Sequence, residues 1–118
     1  MHPGAGEGNA DGYINPAIFP QAFCQDLPGD VAAAMAVSQR PAALAGFGEP
    51  SGTPAWKTLP SWYLVGVQDH LIPAASARVM AARAGATTVE VDSSHVAMIS
   101  HPDEVTSLVR DAVAATAS

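Results

Sequence analysis

Cysteine is almost missing from this chain of 118 residues: Cys24 stands alone, and no internal disulfide can brace the fold. That usage fits a reducing compartment, and a cytoplasmic protein is the expectation. Cations are nearly as scarce. Lys and Arg total 5 against 11 Asp and Glu, a net charge of −6, and the five lie apart at Arg40, Lys57, Arg78, Arg83 and Arg110. They form no sequence cluster that would neutralise phosphates, which argues against nucleic acid or an anionic membrane as a partner. No apolar run approaches the roughly 18 residues that a membrane span needs. The opening Met1-His2-Pro3-Gly4 has neither the charged region nor the apolar stretch of a secretory leader. Metal-ligand spacings of the His-x-x-x-His or Cys-x-x-Cys type are absent too. A metal site built from Asp69, His70, Asp92 and His95 is therefore not expected, and no cofactor is implied.

What is there falls into three parts. Residues 1–12, with Gly4, Gly6, Gly8, Asn9, Asp11 and Gly12, have little to bury and read as a flexible tail. Residues 13–58 are cut into short pieces by Pro16, Pro20, Pro28, Pro41, Pro50 and Pro54. The clearest helix among them spans 29–39, with Asp30 placed to cap free amides at its start. Tyr13, Phe19, Phe23 and Phe47 give this part its apolar content, and no strand is expected in it.

Residues 59–118 are far more regular. Ser61 to Val67 is apolar on both faces and rich in branched and aromatic side chains, as a strand buried in a parallel sheet requires. Ala74 to Ala84 reads as a helix between Pro73 and Gly85. Thr87 to Val91 is β-branched and short, a second strand. Ser100 to Ala115 closes the chain as a helix, with Pro102 in its first turn and Val105, Leu108, Val109 and Val113 along one stripe. The order strand, helix, strand, helix predicts a parallel βαβ unit. Two parallel strands are all edge, however, so the pattern implies more sheet than the chain contains.

Chemistry in open α/β sheets gathers at the carboxyl ends of the strands. Asp69 follows the first strand and His95 the second. A carboxylate beside an imidazole is the pair that orients a general base and stabilises its protonated form. The competing readings are a loop acid capping the helix at 74–84 or bonding a turn for Asp69, and a packed loop histidine for His95. His70, His101 and His2 read as bystanders, and Cys24 as a buried packing residue.

The pattern Gly66-x-x-Asp69-x-x-x-Pro73, with Ser94-His95 about twenty-five residues on, resembles the acid and histidine loops of α/β-hydrolases. The run Val91-Asp92-Ser93-Ser94-His95-Val96-Ala97-Met98-Ile99-Ser100-His101-Pro102 is similar to the histidine loop of the branch holding plant methylesterases, hydroxynitrile lyases and many bacterial esterases. Phe23 to Pro28 and Pro54 to Tyr63 resemble the cap and its return strand in bacterial members. The resemblance implies the C-terminal part of an α/β-hydrolase with an incomplete parallel sheet: 13–58 a helical cap segment, 59–118 the β-α-β-α portion of the core. Asp69 and His95 would be the acid and base of a Ser-His-Asp triad.

No Gly-x-Ser-x-Gly occurs in the 118 residues. The nearest text, Gly48-Glu49-Pro50-Ser51-Gly52, has its serine one place late. The resemblance thus implies that nucleophile and oxyanion donors come from a region upstream, and that the chain alone is inactive. Lyases of this branch place a lysine directly after the histidine, where this chain has Val96, so an ester hydrolase is preferred. Trp56 and Met98 are candidate substrate-binding residues, and Phe19 and Phe23 are further candidates to line an acyl or alcohol pocket. The expected partners are a small ester-like substrate and, through the open sheet edge, another copy or a nucleophile-bearing chain.

Overall fold

A computed structural model of the chain describes residues 10–117. Most of the expected tail, residues 1–9, lies outside the described residues. Its last two members do not hang free: β1, Asp11–Gly12, pairs antiparallel with β2, Ala42–Ala43. The Leu44 amide donates to the Ala10 carbonyl at 3.0 Å beside this ribbon. A pair of alanines carries no period of two, so nothing in the sequence announces β2.

Between these strands lie two helices, α1 (Phe19–Phe23) and α2 (Gly29–Ser38). Pro20 sits in the first turn of α1, where its missing amide costs nothing. Helix α2 begins after Pro28, not at a side-chain cap, and Asp30 instead accepts the Val31 amide at 3.0 Å. Gln39 ends it, since the following Arg40-Pro41 disfavours helical backbone. The Gln39 side chain then bonds both backbone groups of Ile14, at 2.9 and 2.7 Å, and ties the entry of this segment to its exit. Two single 3₁₀ turns follow, at Leu44–Phe47 and Ala55–Lys57.

The second half is the α/β unit. Strands β3 (Trp62–Gly66) and β4 (Thr87–Val91) pair in parallel, with Trp62 opposite Thr87 and Gly66 opposite Val91. Helix α3 (Ala74–Ala84) connects them and ends on Gly85 at φ 62°. The Gly85 amide bonds the Ala82 carbonyl and the Ala86 amide the Ala81 carbonyl, each at 3.0 Å, a paired closure that needs the left-handed residue. Arg78 on α3 grips Glu90 on β4 through two bonds of 2.6 and 2.9 Å. The final helix, expected over 100–115, is α5 (Pro102–Thr116), and a single turn, α4 (Ala97–Ser100), precedes it. His101, at φ −135° and ψ 59°, separates the two because a residue before proline is pushed out of the helical region.

One buried cluster joins the halves: Phe19, Cys24, Ala32 and Ala36 from the first close around Val96 from the second. The sheet has less cover. Val65 is fully buried, but no residue of α5 is, and Val109 and Val113 on its stripe stay exposed. This is an α/β chain with an incomplete parallel sheet.

Candidate active site

Parallel pairing brings the loops after β3 and β4 out on one edge, and a glycine lets them touch. A Cβ at Gly66 would stand 2.7 Å from the Ser94 carbonyl oxygen and 2.9 Å from that of Ser93. Only hydrogen fits there. The Gln68 amide bonds the Ser93 carbonyl at 3.1 Å, so the histidine loop lies directly against the acid loop.

Across this contact His95 Nδ1 lies 2.8 Å from Asp69 Oδ2. The other carboxylate oxygen, Oδ1, accepts the amides of Leu71 at 2.8 Å and Ile72 at 3.0 Å. One oxygen thus closes the turn before α3 and the other meets the imidazole, while α3 itself has no side-chain cap. Burial opposes ionisation of this carboxyl, but the Ile72 amide, the His95 ring and the Leu71 amide outweigh it and hold it below the ordinary carboxylate value. An ionised carboxylate only accepts, so Nδ1 carries the proton and a neutral His95 keeps its lone pair on Nε2. The ring is partly open, with 27% of its side chain exposed against 11% for Asp69. The Phe23 ring packs against it, centroids 4.9 Å apart. A cavity of about 280 Å³ borders the pair, walled by Tyr63, Leu64, Ile72 and Ala77.

Helix α1 and the loop segment that follows it hold both loops from the other side. Asp26 Oδ2 accepts the Ser94 amide at 2.9 Å. The Gln25 amide donates to the Gln68 carbonyl, and His70 Nδ1 donates to the Gln21 carbonyl at 2.8 Å. Burial opposes ionisation of Asp26, yet bonds from the Ser94 hydroxyl and amide and from the Ser100 hydroxyl keep its pKa below the ordinary value. Sequence reasoning missed Asp26 as a site residue. It stands 68 positions from Ser94, in a short polar loop without periodicity.

The other candidates lie elsewhere. Trp56 and Met98 do not line the cavity beside the pair. Trp56 borders a separate pocket with Arg83, whose guanidinium stands 6.0 Å from its ring centre, and Met98 is exposed. Val96 is buried in the cluster with Phe19 and Cys24, so the residue after the histidine is a packing side chain. Cys24 has no exposed surface; burial, and then Asp26, push its thiol pKa up. Neither condition suits a nucleophile. Among the described residues no group of three His, Cys, Asp or Glu is placed to hold a metal ion, and no helix is long and apolar enough to cross a membrane.

Residues 1–108 match the family model described as Alpha/beta hydrolase family. The chain belongs to that family. No curated protein and no solved structure matches it. In this hydrolase chain, the family match spans both loops that meet at Asp69 and His95.

Proposed function

We propose that Asp69 and His95 are the acid and base of a serine esterase whose nucleophile lies outside these 118 residues. The observation that carries this reading is the 2.8 Å contact from His95 Nδ1 to Asp69 Oδ2. It fixes the tautomer in which Nε2 accepts a proton. In the reaction Nε2 takes the proton of an attacking serine hydroxyl and later gives it to the leaving alcohol. Asp69 holds the ring and stabilises the imidazolium, and its own lowered pKa keeps it ionised for that task. Among the described residues no hydroxyl or thiol is bonded to Nε2. Losing a triad nucleophile costs on the order of 10⁶ in rate, so the chain alone is inactive on this reading.

The test uses the purified chain, a fluorophosphonate probe and p-nitrophenyl butyrate. No labelling and no turnover above background are expected. Robust turnover lost in His95→Ala would sink the claim that the nucleophile is elsewhere. The positive arm reads the coding sequence upstream of Met1: an in-frame strand followed by Gly-x-Ser-x-Gly, expressed with this chain, should give esterase activity that His95→Ala abolishes.

A second reading is favoured by the sheet. The Ser61 carbonyl and Val67 amide bond towards β4, so the alternation of a strand turns the backbone of Trp62 and Leu64 to the other edge. No third strand joins the parallel sheet among the described residues. A subunit that pairs through this edge with a nucleophile-bearing chain would use it by strand addition. An upstream stop codon would favour this second reading.

A further inference from the structure

A second and larger cavity, about 710 Å³, is bordered by the first-half segment around α1 and α2 and by Leu71. Phe19, Phe23, Met35, Phe47 and Leu71 supply its apolar walls, and its one charged wall residue, Arg40, is exposed. Two features connect it to the Asp69–His95 pair. Phe23 lines it and packs on the His95 ring at 4.9 Å. Leu71 lines it, and the Leu71 amide is bonded to Asp69. Phe47 and Leu71 are also large apolar side chains left 81% and 43% exposed. Apolar surface left open around a concavity of this size is the mark of a ligand site more than of ordinary surface.

We infer that this cavity receives the apolar limb of the ester, so that the substrate carries a long or bulky hydrocarbon group and not a short acyl chain. The smaller cavity beside Asp69 and His95 then holds the reacting carbonyl region. This rests on the esterase reading for the word substrate, but the binding it describes needs no nucleophile. Each methylene moved from water into such a site tightens binding by roughly three- to four-fold.

The experiment titrates N-methyldecanamide and N-methylbutanamide into the whole chain, followed by calorimetry and by methyl and imidazole NMR. Expected are at least ten-fold tighter binding of the decanamide and shifts at the Met35 methyl and the His95 ring. Phe47→Asp and Leu71→Asp, both at exposed positions that tolerate a charge, should each weaken the decanamide at least five-fold. Val37→Asp, equally exposed on α2 but outside the cavity, should leave it unchanged. Equal affinity for the two amides, or wild-type affinity in folded Phe47→Asp and Leu71→Asp, overturns the inference; so does the absence of binding, which would mean that polypeptide fills the groove. Tight decanamide binding with no esterase activity in the nucleophile-bearing form would instead remove the esterase reading and leave the site standing.

Discussion

At the scale of single residues, the site depends on groups that bring two loops together as much as on the pair that meets there. Gly66 is the first. Its α-carbon faces two backbone carbonyls, which cannot swing aside as a side-chain tip would. Gly66→Ala should therefore push the 93–95 loop outward, cost about 1–3 kcal/mol as overpacking does, and lengthen the His95–Asp69 contact. Chemical denaturation gives the first quantity and the imidazole NMR spectrum the second. Asp26 is the second group. Ser94 is 1% exposed, so removing its acceptor in Asp26→Ala leaves a buried amide unsatisfied, at about 1–3 kcal/mol. Hydrogen exchange at the Ser94 amide should speed up while exchange within α3 does not change. Both aspartates also set the acid limit. Their folded pKa values lie below the ordinary carboxylate value, so the stability they contribute is present above the unfolded value of about 4 and is lost as pH falls through the folded values. An acid titration followed by circular dichroism should show unfolding in that window, and Asp26→Asn should remove part of the pH dependence. Unchanged acid sensitivity in that variant would exclude Asp26 as a contributor.

Elements show how much of this was legible in the sequence. Helix α3 and strand β4 match their expected limits, because Pro73, Gly85 and a β-branched run are local signals that need no partner. Gly85 gives this a measurable form. Its φ of 62° costs a residue with a Cβ about 1–2 kcal/mol, so Gly85→Ala should destabilise the chain by that amount in thermal melts, with Gly85→Asn less harmful. Asp69 and His95 were legible for the same reason, each sitting one short loop beyond a readable strand. Long-range features were not. Ribbon β1–β2 joins residues some thirty positions apart through two alanines, a glycine and an aspartate, and the Asp26–Ser94 bond spans more than twice that separation. No local pattern reports such a contact. The stripe on α5 was read as apolar from its spacing, and no residue of the helix is buried, since spacing reports the face of a helix and not what covers it. Val96 is the converse: a position read for its chemistry that serves the core.

For the molecule as a whole, size scaling decides the question of cover. A compact domain of this length has a radius of gyration near 13.5 Å and a folded monomer of this mass an accessible surface near 6,000 Å², both about-figures from general scaling. This chain has 16.7 Å and 8061 Å². The excess of roughly 2,000 Å² is comparable to the total area of a standard protein interface. The open surface includes the exposed Val109 and Val113 of α5 and Leu59, and the outer edge of β3 has no partner strand among the described residues. A hydrophobic dye such as ANS should therefore bind the isolated chain in native buffer, and the chain should unfold over a broad range. The Trp62 and Leu64 amides should exchange as fast as loop amides. Expression with a nucleophile-bearing segment should reduce dye binding, sharpen the transition and protect those two amides while leaving Val65 as it was. A sharp transition and dye-free native state in the isolated chain would show that two strands and their helices suffice, and would remove the case for a partner at the β3 edge.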